Sequence, residues 1–320
     1  MSPDNIQSID ELVHQNKYVL VGLGIVVGAI VFALTQIKGK KTFNPFQGSA
    51  LQQVGKGKKL NCPLIRKDKL SHDTYRFVFK LPKEDQTLGI DVGQHIAIVA
   101  NIPTKDHIDG EVISRKYTPV SAVTQKGTFD LVIKVYRKNV HPRFPDGGVM
   151  SQWMETLKVG DSIDITGPTG RLVYKGMGTS IITNFGEKPK KVNFKRLFLV
   201  GGGTGITPLY QVLQAIAACT DDKTKVYMLY GNKTEDDILI KEELEAQKSA
   251  GNLNLSYTLD IPPENWTGYK GFITQDMLKQ AFPEFDKSTL ICTCGPGPMN
   301  SLVTKLFKEQ GYSDEQMFQF

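Results

Sequence analysis

The sequence predicts an α+β chain of two globular domains, an antiparallel β-barrel followed by an α/β domain with a parallel sheet, behind an N-terminal transmembrane helix. Three observations predict it. An uncharged apolar run occupies 18–37. Between 60 and 175, short apolar runs are split by Gly and Pro turn signals. From 194 to 320, strand-length and helix-length apolar segments alternate.

The chain has 320 residues, 40% of them hydrophobic and 22% charged, which suits a folded protein of about two domains. Its net charge of +6 is spread along the chain and lacks the dense basic stripe of nucleic-acid binding. A solvated lysine-rich surface, an acidic protein partner and an anionic membrane face are all compatible with that charge. The cysteines, Cys62, Cys219, Cys292 and Cys294, are too scattered for a disulfide framework and read as reduced thiols. Cys292 and Cys294 share one face of a strand, but no second Cys or His pair lies at ligand spacing, so no metal site is expected.

As a helix, the run 18–37 would measure about 30 Å, the thickness of a bilayer's hydrocarbon core. Asp4, Asp10, Glu11 and Lys17 precede it, and Lys38, Lys40 and Lys41 follow, which places the C-terminal body in the cytosol. A cleaved signal peptide would need a basic start and a shorter apolar core. The segment 1–41 therefore reads as a membrane anchor. The segment 42–59, with Gly48, Gly55 and Gly57, reads as a tether.

In 60–175, strands are expected at 74–81, 94–102, 129–136 and 161–168, with one helix at 149–157. Two clusters there could meet a ligand. In Arg115-Lys116-Tyr117-Thr118-Pro119-Val120-Ser121, the Arg can grip a pyrophosphate and the Tyr can lie against a flat ring. The same residues also read as an edge strand running into a turn. Gly147-Gly148-Val149-Met150-Ser151 leads glycines into a helix start, where free N–H groups and the dipole suit a phosphate, or it is simply a turn.

After a linker at 176–193, strands are expected at 196–200, 225–230, 253–259 and 289–294. Helices are expected at 209–218, 238–246, 274–281 and 300–309. Ligands bind at the carboxyl ends of such strands. Two Gly/Pro loops, 201–208 (GGGTGITP) and 294–299 (CGPGPM), fall at those ends after the first and last of these strands. The first is neither the standard dinucleotide fingerprint nor a P-loop.

RKYTPVS (115–121), IKVYRKNVHPRFPDGGVMSQWME (133–155), LVGGGTGITP (199–208), SYTLD (256–260) and CTCGPGPM (292–299) occur in one order. From about residue 60 to the C-terminus the chain resembles the NADH–cytochrome b5 reductases of the ferredoxin–NADP reductase superfamily. Its anchor and length resemble the fungal membrane form. The resemblance implies an FAD-binding barrel at 60–175 and an NADH-binding α/β domain at 194–320. It implies FAD contacts from Arg115, Lys116, Tyr117, Thr118, Val132, Lys134, Gly148, Val149, Met150 and Ser151. It implies NADH or cleft contacts from Gly202, Gly203, Thr204, Thr207, Asp260, Cys294, Gly295, Pro296 and Met299, with Thr204, Lys134 and Cys294 nearest the reacting rings. The family usually carries Lys after the paired glycines, whereas this chain has Val149.

The chemistry implied is hydride transfer from NADH to FAD, then single electrons to cytochrome b5 or a similar small acidic redox protein. Asp260 is expected to select NADH over NADPH by bonding a ribose 2′-hydroxyl and repelling a 2′-phosphate, or else only to cap a turn. Lys134 either supports a cofactor phosphate or pairs with a carboxylate, and Cys294 is expected to position rather than react. The C-terminal Phe318 and Phe320 either reach the flavin or pack at a strand end. Neither a haem domain nor a four-cysteine iron–sulfur pattern is present, so an external acceptor is expected. Alternative acceptors are a nitrate-reductase-like chain or the iron–sulfur carrier of diphthamide biosynthesis, and a non-catalytic scaffold is the other alternative. The expected membrane is the mitochondrial outer membrane or the endoplasmic reticulum.

Overall fold

The computed structural model describes residues 48–320, apart from 141 and 143. The anchor expected over 18–37 and the first part of the tether lie outside the described residues. No helix among the described residues is long and apolar enough to cross a membrane.

Strands β1 (Leu60–Lys69), β2 (Thr74–Lys80), β3 (His95–Ile102), β4 (Glu111–Tyr117), β5 (Thr128–Lys134) and β6 (Ser162–Thr169) form one antiparallel sheet in the order β4-β3-β6-β1-β2-β5. Register follows the apolar alternation. Phe79 on β2 sits opposite Phe129 on β5, both fully buried, with ring centroids 5.4 Å apart. The expected barrel is only partly closed, because no ladder joins the edge strands β4 and β5. The turn after β4 bridges the gap instead: Val120 N–H donates to the Asp130 carbonyl at 2.9 Å, and Asp130 N–H donates to Ser121 Oγ at 3.0 Å.

Helix α1 (Ala50–Val54) corrects the tether reading at its C-terminal end. Ala50 and Leu51 are apolar enough to bury against the sheet, and their N–H groups donate to Thr87 and Leu88 carbonyls. Helix α2 (Val149–Thr156) follows β5 and buries Met150 and Met154 in the same core.

The linker at 176–193 is structured as well. Strands β7 (Leu172–Gly176), β8 (Thr179–Ile182) and β9 (Lys190–Asn193) make a small antiparallel sheet between the two domains. Their alternation is short and Lys-rich, so the sequence signal is weak, but Leu172, Tyr174 and Ile182 are buried.

Strands β10 (Arg196–Gly202), β11 (Lys225–Asn232), β12 (Asn254–Leu259), β13 (Tyr269–Lys270), β14 (Thr289–Cys294) and β15 (Met317–Gln319) form a parallel sheet in the order β13-β12-β11-β10-β14-β15. Its helices are α3 (Ile206–Ala217), α4 (Lys241–Ser249), α5 (Gln275–Ala281) and α6 (Gly297–Glu309). Two boundaries differ from expectation. Helix α4 starts three residues late, because Ile240 is left-handed (φ 47°) after a 3₁₀ turn capped by Thr234 and Asp237. Helix α6 starts three residues early, because Pro298 is tolerated in a first helical turn.

The two domains share an apolar core. Val120, Val132 and Leu172 of the barrel side cluster with Leu209, Leu213 and Tyr210 of α3. Polar ties cross the same boundary: Gly93 N–H to Gln211 Oε1 at 2.6 Å, Tyr174 to Asp222, and Arg76 to Glu243.

Candidate functional site

The sheet order reverses at β10, whose neighbours β11 and β14 lead away in opposite directions. A crevice opens beyond the carboxyl ends of strands at such a point. Here it faces the barrel, forming a cleft of about 2010 Å³. Common small-molecule pockets hold roughly 300–1,000 Å³, so this one has room for two dinucleotides. Every residue assigned from the sequence to a cofactor lines it.

On the barrel side, β4 and the turn after it present Arg115, Lys116, Tyr117 and Thr118. The two readings of this cluster coexist, since it is an edge strand and it also faces the cleft. The exposed Arg115 guanidinium donates to its neighbour's Ser114 carbonyl at 2.8 Å and makes no ion pair among the described residues. Burial pushes the Tyr117 hydroxyl up to about 12 despite the charge of Arg115, so it stays protonated and able to donate.

Val132 and Lys134 alternate on β5, and Tyr136 continues that face beyond the strand. Lys134 Nζ lies 2.7 Å from Asp73 and 2.6 Å from Asp237 of the other domain. Of its two sequence readings, the carboxylate pair is what the structure displays. Burial opposes the Lys134 charge, but hydrogen bonds and charges from Asp237 and Asp73 outweigh it and raise its pKa. His72, Asp73 and Asp237 bring ligand atoms within 4.8 Å of one another, and the Lys134 ammonium bonds both of these carboxylates.

The α2 start leaves backbone N–H groups open, as expected, but not those of the glycines. Both glycine N–H groups are engaged, Gly147 with the Phe144 carbonyl at 3.0 Å and Gly148 with the Tyr136 carbonyl at 2.8 Å. The donors a helix leaves open are instead those of Val149, Met150 and Ser151. Ser151 Oγ accepts from Tyr136 N–H at 3.1 Å and donates to the Gly148 carbonyl at 2.9 Å, tying α2 to the end of β5. Gly147 has φ 67°, and a Cβ there would stand 2.4 Å from the Tyr136 carbonyl oxygen.

On the sheet side, the two glycine loops touch backbone to backbone. A Cβ on Gly205 would lie 2.0 Å from the Cys294 carbonyl oxygen, and one on Gly202 would lie 2.7 Å from Met299 Sδ. One on Gly295 would meet Met299 Cε at 2.5 Å. This contact explains glycines in both loops. Tyr230 Oη donates to the Gly203 carbonyl at 2.8 Å, and Thr207 Oγ1 to the Thr204 carbonyl at 3.3 Å, holding the turn that carries Thr204. Burial raises the Cys294 thiol to about 11, so it remains protonated near neutrality. Pro296 and Met299 begin α6 at the same rim.

Asp260 follows β12, with its carboxyl pKa raised by burial against the opposing charge of Lys233. Phe320 lines the cleft and Phe318 is buried beneath it, ring centroids 4.9 Å apart. Sequence reasoning missed Tyr136, His95, Asn232 and Arg171, all at the cleft. The β5 alternation could have found Tyr136. His95 could not be found by period, because what marks it is burial, which, with the charge of Lys116, lowers its pKa to about 4 and leaves Nε2 without a partner.

The residues fit two dinucleotides. An unpaired guanidinium and an open helix start face one end, backbone-only loops another, and His95 Nε2 is buried without a partner among the described residues between them.

Comparison with known proteins bears on the same two halves. Residues 61–174 match the family described as oxidoreductase FAD-binding domain, and residues 199–305 the one described as oxidoreductase NAD-binding domain. The chain is 42% identical over 266 residues to NADH-cytochrome b5 reductase 2 of Homo sapiens, covering 82% of this chain and 94% of that one. It is 46% identical over 244 residues to NADH-cytochrome b5 reductase 2 of Gallus gallus, covering 75% and 78%. The cytochrome b5 reductase domain of Ulva prolifera nitrate reductase superposes with a TM-score of 0.77 at 37% identity, over 83% of this chain and 98% of that domain.

Proposed function

Since this chain belongs to the NADH–cytochrome b5 reductase family and is an NADH-dependent FAD oxidoreductase, we propose that it delivers electrons to cytochrome b5 from a single-pass membrane anchor. The observation that carries the reading is the one cleft onto which both matched halves present their site residues. When bound, FAD supplies the acceptance of a hydride from NADH and its release as single electrons.

The residues supply position and charge. Arg115 and the open N–H groups of Val149, Met150 and Ser151 hold pyrophosphate oxygens. Val149 contributes no cation, so the backbone carries that contact. Tyr117 and Thr118, with Lys116 beside them, and Val132 border the flavin ring. Gly202, Gly203 and Gly295 let the nucleotide approach the loops without a Cβ in the way, while Thr207, Pro296 and Met299 wall that side. Thr204 and Cys294 bracket the nicotinamide, the latter as a neutral thiol. Lys134 keeps the domains in register. Asp260 bonds the adenine ribose and favours NADH.

The name carried by the relatives supports cytochrome b5 as acceptor, and the net charge of +6 suits an acidic partner. The run at 18–37 with Lys38, Lys40 and Lys41 behind it supports an anchor in the mitochondrial outer membrane or endoplasmic reticulum with a cytosolic body. The purified yellow protein is expected to reduce cytochrome b5 with NADH, read from the haem spectrum. Turnover with ferricyanide but none with cytochrome b5 would reject the acceptor. Full release from membranes at alkaline pH would reject the anchor.

A further inference from the structure

Helix α2 carries a carboxylate where its own dipole disfavours one. Glu155 lies in its last turn, beside the carbonyl groups a helix leaves open. Three side chains from outside the helix meet that end. Arg137 grips the Glu155 carboxylate with two prongs, Nη1 to Oε2 at 2.8 Å and Nη2 to Oε1 at 2.7 Å. Tyr75 Oη on β2 donates to Oε1 at 3.0 Å. Lys67 Nζ on β1 donates to the Glu155 carbonyl and, at 3.0 Å, to that of Leu157. Hydrogen bonds from Arg137 outweigh the opposing effect of burial and hold the Glu155 carboxyl below its usual pKa.

The other end of α2 is tied to the same segment. Gly148 N–H donates to the carbonyl of Tyr136, the residue before Arg137, at 2.8 Å. A Cβ on Gly147 would stand 2.7 Å from the Arg137 carbonyl carbon, so the Arg137 backbone abuts the turn that enters the helix. Arg137 thus meets α2 at its start through the backbone and at its end through the side chain. Two fixed points on a rigid helix set the direction of its axis and the aim of its first-turn N–H groups. Val149 brings no cation to that start, so a phosphate oxygen there depends on how well those N–H groups point at it.

We propose that Arg137 is a positioning residue for the FAD pyrophosphate: paired with Glu155, it fixes the axis of α2 and so aims the open N–H groups of Val149, Met150 and Ser151. It acts through the helix and touches no reacting atom. The inference rests on the placement of the pyrophosphate at the α2 start.

The pair is partly in solvent, with side-chain exposures of 46% and 24%, so breaking it leaves the fold standing. The test uses the purified holoprotein and follows FAD released on dilution by its fluorescence, which gives a Kd. Arg137→Met and Glu155→Gln are each expected to raise that Kd about threefold to fivefold. The double variant is expected to do no more than either single one, because each change alone already breaks the pair. Arg137→Lys keeps the charge but loses the fork, and is expected to recover only part of the affinity. With FAD in excess, kcat and KM for NADH stay within about twofold of wild type in all of them. An unchanged Kd in Arg137→Met, or single effects that multiply in the double variant, overturns the positioning role. Val149→Lys tests the placement separately: a cation added at the helix start is expected to lower the Kd for FAD about threefold. An unchanged Kd in that variant puts the pyrophosphate elsewhere and overturns the placement together with the inference.

Discussion

The hydroxyl of Tyr136 lies 3.2 Å from Thr204 Oγ1, joining the barrel to the first glycine loop across the cleft. Tyr136 stands on the same alternating face as Val132 and Lys134, so one strand edge supplies an apolar contact, a charge and a hydroxyl to the site. Because Tyr136 is 49% exposed, water can replace this bond. Tyr136→Phe is expected to cost about 1 kcal/mol or less, shifting Tm by roughly 2–4 °C at most while the flavin-to-protein absorbance ratio holds. Loss of bound flavin in that variant would show that the hydroxyl matters to the cofactor directly.

Lys134 joins Asp73 to Asp237 with both carboxylates mostly shielded from water. Lys134→Met leaves two acids facing each other without a cation. A loss of about 1–3 kcal/mol is expected by denaturant titration, below the figure for a fully buried pair. The pair also sets an acid limit. Burial works against the Asp237 carboxylate, but hydrogen bonds from Lys134 and Thr234 hold its pKa below the usual 3.8. Its stabilisation is therefore complete above the unfolded-state value and is lost as pH falls through the lower folded value. Melting curves between neutral pH and pH 3 should show wild type and Lys134→Met converging toward the acid end.

Gly205 has ordinary helical backbone angles, so only space requires glycine there. Gly205→Ala puts a methyl 2.0 Å from the Cys294 carbonyl oxygen and must separate the two loops. A shift on the order of 1 Å in a bound substrate can reduce rate about a hundredfold. The expected result is a flavin-loaded protein with kcat/KM for NADH lowered roughly tenfold to a hundredfold. Unchanged NADH kinetics would mean the loops are not in contact.

With its thiol raised to about 11 by burial, Cys294 is a poor nucleophile at neutral pH. Iodoacetamide labelling at this position should be slow at pH 7 and accelerate about tenfold per pH unit up to that value. Cys294→Ala should keep more than about a tenth of wild-type turnover, since no step requires a thiolate. Complete inactivity of a folded, flavin-loaded Cys294→Ala would refute the positioning role.

Arg171, just after β6, holds the last strand from the barrel side. Its guanidinium donates to the Gln319 carbonyl at 2.7 Å and lies 5.1 Å from the Phe318 ring centroid. Arg171→Ala is expected to cost about 1–2 kcal/mol and to raise KM for NADH by loosening Phe320 at the cleft wall. Arg171→Lys should recover part of the stability, and KM values identical in all three proteins would uncouple the strand from the site.

Much of this site was legible in the residues. Gly203, with φ 53°, and the alternation of Val132 and Lys134 are local signals, because backbone freedom and period-2 facing are properties of a short segment, whereas the glycines at 202, 205 and 295 are required by contact between the two loops. The strands within the linker at 176–193 are not legible, because a four-residue strand with two lysines has no clear period and its order comes from Tyr174 and Ile182 entering the shared core. The helix start after Gly148 is legible as a place of open N–H groups, but which ones stay open is not: Tyr136 and Phe144 carbonyls engage the glycines and leave 149–151 as the donors.

What the sequence by itself determined is the succession of an antiparallel and a parallel half, the positions of the two glycine loops, and the residues able to meet a dinucleotide. The first two follow from periodicity and from Gly/Pro turn signals, and the last from the family resemblance of the motifs. Only the tertiary structure decided that Lys134 meets Asp237 and that Tyr136 meets Thr204. These partners lie 103 and 68 residues apart. Charge pairing and desolvation depend on distance and burial in space, which no local pattern encodes.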